Sequence, residues 1–142
     1  MTHWPEDYTA PWTLATDTER AGVGLHSGSE ARVRLHPTDQ PGFHMRLPGS
    51  AEAIQLRPDQ VRDSQLCTTL DLGPQTVSTV EHLLAALAGC GLSHVEIELS
   101  GSEVPLLDGS ALGWVEAIAE AGLTPAATER LPQPVLTGPM VR

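Results

Sequence analysis

The stretch STVEHLLAALAGCGLSHVEIELS, residues 78–100, changes its apolar period halfway along. In the first half, Val80, Leu83, Leu84, Leu87 and Cys90 recur at i, i+3, i+4, i+7 and i+10, a single apolar stripe of an α-helix. Gly89 and Gly91 end that helix. In the second half, Val95, Ile97 and Leu99 alternate with Glu96 and Glu98, the period of a strand with one buried face. A helix with one apolar stripe beside a strand with one apolar face predicts helices packed on a sheet.

The flanking sequence extends this pattern. DGSALGWVEAIAEAG, residues 108–122, reads as a second amphipathic helix, capped by Asp108 or Ser110 and stopped by Gly122. Upstream, a hairpin is expected with Ser27-Gly28 at or near its turn, placing Leu25, Ala31, Val33 and Leu35 inward and Arg32 and Arg34 outward. GFHMRL and LCTTLDL read as short strands, joined through the proline- and charge-bearing RPDQVRDSQ. ERLPQPVLTGPMVR is a last extended piece. Residues 1–12 hold two Trp and two Pro without any period and read as a loose leader, with residues 13–142 as one domain. This order predicts an α+β fold, a two-layer sandwich of mixed or mainly antiparallel sheet with two helices on one face.

Composition narrows the function classes. The chain of 142 residues carries 18 acidic side chains against 8 basic ones, for a net charge of -10, and every basic residue is arginine. Nucleic acid and anionic membrane surfaces both need a basic face and are excluded as partners. No apolar run approaches the roughly 20 residues of a membrane span. The first dozen residues lack the basic and apolar regions of a signal peptide. Cys67 and Cys90 stand far apart and suggest neither a disulfide framework nor a metal knuckle, so a reducing cytoplasm is the expected compartment.

Glu81 and His82 admit two readings that do not exclude each other. In the first, Ser78-Thr79-Val80-Glu81 is a capping box, with Ser78 on the amide three residues on and Glu81 reaching back to the Ser78 amide. In the second, the pair carries chemistry. At about 100° per residue, both side chains lie more than about 100° from the stripe centre at Leu87. Ala85, Ala86 and Gly89 follow His82 at i+3, i+4 and i+7, a wall of small residues that a ligand or another element approaches closely. A histidine that binds zinc, beside a carboxylate that takes a proton from an attacking water, is a hydrolytic arrangement. His3, His26, His36, His44 and His94 supply no HxxxH or HxxEH spacing, and His36 and His94 are expected at the surface. Spacing alone therefore yields one zinc ligand.

Four blocks, GVGLHSG (22–28), VRDSQLCT (61–68), residues 78–91 and VPLLDGSA (104–111), together resemble the zinc-dependent UDP-3-O-acyl-N-acetylglucosamine deacetylases of bacterial lipid A synthesis. The resemblance covers roughly residues 13–142. It implies a protein of two similar α+β domains with the active site between them, of which this chain corresponds to the first. By this resemblance His82 is the first zinc ligand and Glu81 the general base. Asp108 lies in a loop beside the site, His26 at the cleft edge, and Leu25 and Cys67 along the substrate passage. Two further zinc ligands and the acid that protonates the departing amine are expected from a second domain.

For several of these residues a plain structural reading stands beside the functional one. Asp108 reads equally as a helix N-cap, the segment around His26 as a tight hairpin, and Cys67 as a small buried hydrophobe. With no lysine here, contacts to the substrate's diphosphate are expected from a few arginines or from the second domain. Two functions of different class follow: half of the deacetylase, unable to bind zinc tightly alone, or a non-catalytic binding or assembly module that keeps the fold.

Overall fold

A computed structural model describes residues 3–62 and 66–132 of the chain. Ten strands, two α-helices and one 3-10 turn are found among them. The strands are β1 (Trp12–Leu14), β2 (Thr18–Val23), β3 (Glu30–His36), β4 (Gly42–Arg46), β5 (Ala53–Gln55), β6 (Val61–Arg62), β7 (Thr69–Asp71), β8 (Thr76–Ser78), β9 (His94–Leu99) and β10 (Leu123–Pro125). The helices are α1 (Glu81–Gly89) and α2 (Leu112–Ala121), and the 3-10 turn is Pro58–Gln60.

β9 is the centre of the larger sheet. It pairs antiparallel with β3 and parallel with β4, and its first residue bridges to β1. β2 continues the sheet beyond β3, β5 beyond β4, and β10 beyond β1. The sheet is therefore mixed, as the sequence predicts. β6, β7 and β8 form a second, three-stranded antiparallel sheet.

Alternation sets the two faces of the large sheet. Val33, Leu35, Met45, Val95, Ile97 and Leu99 point to one side and are buried. They meet Leu83 and Leu87 of α1 and Trp114 and Ile118 of α2 in one continuous core. On the opposite face charges pair across strands: Arg46 donates to Glu96 at 2.9 Å, and His36 lies between Asp17 and Glu98 at 3.1 and 2.9 Å. Pairs partly open to solvent, as these are, add modest stability, so the fold rests on the apolar side. Two helices on that side and charge on the other make the expected α+β arrangement.

Both helices match their periodicity. Val80, Leu83, Leu87 and Cys90 are buried and Leu84 is half-buried against the core. Ala86 is buried as well, which removes it from the free face on which the sequence places it; Ala85 and Gly89 remain exposed. Gly122 stops α2 with φ of 76°, a conformation that favours glycine. Ser110, not Asp108, meets the first helical amide: its Oγ accepts from Leu112 N at 3.1 Å, while Asp108 holds Ser110.

Several expectations are corrected. The capping box does not form, because Ser78 is committed to β8: its N–H donates to Ser102 O and its carbonyl accepts from Val104 N. Leu25 does not point inward but is 55% exposed. β2 ends at Val23, and the chain loops over before β3, with Gly24 N donating to Ser29 O and Gly28 at φ of 65°. His94 is not a surface residue but fully buried, between Ser93 Oγ and Thr128 Oγ1, each at 2.8 Å. His36 is only partly exposed.

Residues 3–11 carry no helix or strand. Pro5 is buried, Tyr8 O accepts from the Arg130 guanidinium, and the Tyr8 ring lies against Gly91. Residues 133–142, most of the expected last extended piece, lie outside the described residues, as do residues 63–65.

Leu87 is fully buried where α1 meets the sheet. Leu87→Ala is expected to destabilise the fold by about 3 kcal/mol, because the lost transfer energy is joined by an unfilled cavity. Urea unfolding of the two proteins measures it.

Candidate functional site

α1 starts without a conventional cap. Val80 occupies the N-cap position and makes no side-chain hydrogen bond to the helix. Between β8 and the helix lie only Thr79 and Val80, and Thr79 adopts φ of 62°. That left-handed backbone is rare for a β-branched residue and persists only where its surroundings impose it. Here they do: Thr79 N donates to Thr68 O at 2.9 Å, and Thr79 Oγ1 donates to Glu103 Oε2 at 2.5 Å. The turn throws Glu81 and His82 to the start of α1, both half-buried.

Glu81 is held by the residue that precedes β7 as well as by its own backbone N–H. Thr68 N donates to Glu81 Oε2 at 2.6 Å. Glu81 Oε1 is buried and has no hydrogen-bond partner among the described residues. Burial pushes the carboxyl pKa up, but the N–H groups of Glu81 and Thr68, the Thr68 hydroxyl and the nearby His82 charge outweigh it and hold the group below its ordinary value. The carboxylate is therefore charged at neutral pH. The His82 ring makes no hydrogen bond among the described residues, so its ring nitrogens are uncommitted.

The other predicted residues come from three other segments of the chain, at positions 25–26, 67 and 108. Cys67 is half-buried, immediately before Thr68, with Sγ 3.8 Å from Thr69 Oγ1. Asp108 is exposed; Ser110 N–H and hydroxyl hold its carboxyl below the usual range, and the His82 charge adds to this. His26 is exposed, and no hydrogen bond joins its ring to Glu81 or His82 among the described residues. Leu25 sits beside it, in the loop between β2 and β3. Alongside α1, Ala85 and Gly89 line a groove with Trp4, Tyr8, Ala111 and Val115.

Sequence reasoning passed over Glu103. This residue is only 4% exposed, and its carboxylate collects four hydrogen bonds. Ser27 N donates to Oε1 at 2.7 Å, His26 N lies 3.1 Å from both oxygens, and Thr79 Oγ1 donates to Oε2. Gly24 admits this contact: a Cβ there would fall 2.2 Å from Glu103 Oε1. Burial alone pushes the Glu103 carboxyl up, but the Thr79 hydroxyl, the Ser27 and His26 N–H groups and the Ser27 hydroxyl bring it down to about 2. The available signal was one acid wedged between SGS and the apolar VPLL.

Residues 12–138 match the sequence profile of the family described as LpxC, UDP-3-O-acyl N-acetylglycosamine deacetylase. The chain belongs to this family. Among curated deacetylases of that name, the protein of Trichormus variabilis is 46% identical over 133 residues, covering 87% of this chain and 47% of the relative. That of Thermosynechococcus vestitus is 40% identical over 136 residues, covering 93% and 47%. That of Oleidesulfovibrio alaskensis is 38% identical over 122 residues, covering 81% and 40%. The chain thus spans about half the length, or less, of these deacetylases. No helix among the described residues is long and apolar enough to cross a membrane.

The carboxylate of Glu103 makes stability depend on pH with a definite sign. Its folded pKa, about 2, lies below the ordinary 4.5, so its contribution is complete above pH 4.5 and is lost as pH falls towards 2. Glu103→Gln is expected to be less stable than the unsubstituted chain by about 2 kcal/mol at pH 6, with the gap closing as pH falls. Chemical unfolding at a series of pH values measures both.

Proposed function

We propose that this chain supplies the first-domain half of the active site of a zinc-dependent UDP-3-O-acyl-N-acetylglucosamine deacetylase, acting in lipid A synthesis. The observation that carries this reading is the unsatisfied pair at the start of α1. Glu81 Oε1 is buried without a partner, and the His82 ring is uncommitted among the described residues. An unpaired buried acceptor costs about 1–3 kcal/mol. A glutamate serving only as a cap has no reason to bear that cost, whereas one awaiting a water does. In a chain of the deacetylase family, this favours the catalytic reading over the capping one.

The donor set suits zinc in kind, since imidazole nitrogen is among its preferred ligands. His82 is the ligand this chain offers. No group of three or more His, Cys, Asp or Glu side chains forms a metal site among the described residues. The remaining donors are assigned to a second domain, joined to this one or carried on a separate chain. When bound, zinc supplies Lewis acidity and brings the pKa of a water to about 7.

Glu81 performs the proton chemistry. Its lowered pKa keeps it ionised, the Thr68 N–H fixes Oε2, and Oε1 is left to accept a proton. As the water oxygen attacks the acetamide carbon of the UDP-linked acylated glucosamine, its proton passes to Glu81 Oε1. The C–N bond then breaks, releasing acetate and the amine, which takes its proton from an acid assigned to the second domain. Asp108, Cys67, His26 and Leu25 are read as cleft-lining positions around the substrate. The UDP-sugar substrate and the buried thiol of Cys90 fit a cytoplasmic setting.

Two measurements test this. Metal analysis of the purified 142-residue chain should find well below one tightly held zinc per chain. With the second domain present, Glu81→Ala and His82→Ala should each lower kcat/KM by about 100-fold or more. His82→Ala should also lose zinc while Glu81→Gln retains it. Undiminished turnover in both alanine variants would replace this reading with that of a non-catalytic module.

A further inference from the structure

Glu103 joins three segments distant in sequence. Through His26 N and Ser27 N it holds the loop between β2 and β3, and through Thr79 Oγ1 it holds the residue that launches α1. Its own backbone bridges β8 at Ser78. The hydrogen-bonded path continues from Thr79 N to Thr68 O, and from Thr68 N to Glu81 Oε2. Every link on this path is direct.

We infer that Glu103 is a positioning residue for Glu81 and His82, acting by holding Thr79 in its left-handed turn. This rests on reading Glu81 and His82 as the reacting pair. A threonine with φ of 62° gains by relaxing towards ordinary backbone once it is released. The Thr79 hydroxyl on Glu103 is one of its two restraints, the Thr68 carbonyl on its amide being the other. If Thr79 relaxes, the first turn of α1 shifts relative to Thr68. Glu81 then loses the fixed orientation of Oε2, and His82 changes its aim. The loop bearing His26 is held by the same carboxylate, so both sides of the site take their register from one buried charge.

A carboxylate whose role is confined to stability would act differently. Its loss would lower the melting temperature without reaching the Glu81 surroundings.

Amide and imidazole resonances of the 142-residue chain, which need neither zinc nor substrate, separate the two roles. Glu103→Gln is expected to move the His26 and Ser27 amides, the Thr68 amide and the His82 ring, while the Val95 and Ile97 amides in β9 stay in place. Thr79→Val removes only the helix arm of the clamp, so it should move Thr68 and His82 and spare His26 and Ser27. Thr79→Ser, which restores the hydroxyl, should leave Thr68 and His82 as in the unsubstituted chain. If Glu103→Gln does not fold, the Thr79 pair decides alone. The inference is overturned if Thr68 and His82 stay unmoved in Thr79→Val, or in a folded Glu103→Gln.

With the second domain present, Thr79→Val should lose about tenfold or more in kcat with KM within about twofold, as misplacement of a reacting group predicts. An unchanged kcat in Thr79→Val overturns the inference. An inactive unsubstituted protein whose resonances move as expected would instead remove the deacetylase reading and leave the clamp standing.

Discussion

A buried carboxylate must be surrounded by donors, and that requirement at Glu103 organises the functional end of this fold. Two backbone N–H groups and one hydroxyl satisfy it, and they come from positions 26, 27 and 79. Neither segment could retreat without leaving part of the buried charge's hydrogen bonding unmet. The cost of desolvating one group thereby fixes the relative placement of a loop, a strand end and a helix start. Gly24 completes the arrangement, since any side chain there would occupy the space of the carboxylate oxygen.

The apolar core and this polar clamp divide the labour. Leu83 and Leu87 seat α1 on the sheet through area buried from water. Such burial is non-directional and tolerates small sliding or rotation of a short helix. Hydrogen bonds are directional, and those at Thr68, Thr79 and Glu103 act at the first turn, where sliding would matter. Glu81 and His82 are thus carried by a helix that the core holds down and the clamp aims. Glu81 Oε1 shares its lack of a hydrogen-bond partner among the described residues with three other buried atoms, His44 Nδ1, Arg46 Nε and Trp114 Nε1.

The chain belongs to the deacetylase family and spans about half the length, or less, of the curated relatives it matches. The exposed Ala85 and Gly89 allow close approach to α1 near His82. The charged outer face of the sheet pairs its own side chains, with Arg46 on Glu96 and His36 on Glu98.

Local periodicity by itself determined α1, α2, β9 and the inward alternation of β3, because helix and strand repeats are written into neighbouring residues. The Glu81–His82 pair and its exclusion from the apolar stripe were legible for the same reason. The three-residue strands β5, β8 and β10 were not, since so few residues seldom establish a period, although β7, equally short, was legible within LCTTLDL. Tertiary structure alone decided that Ser78 serves a strand rather than a cap, that His94 is buried, and that Glu103 clamps the site. Each of these depends on partners far along the chain: Ser102 and Val104 for Ser78, Thr128 for His94, and His26 and Thr79 for Glu103. A hydrogen bond over such a separation leaves no repeating trace in sequence, only a polar residue whose partner the fold must supply.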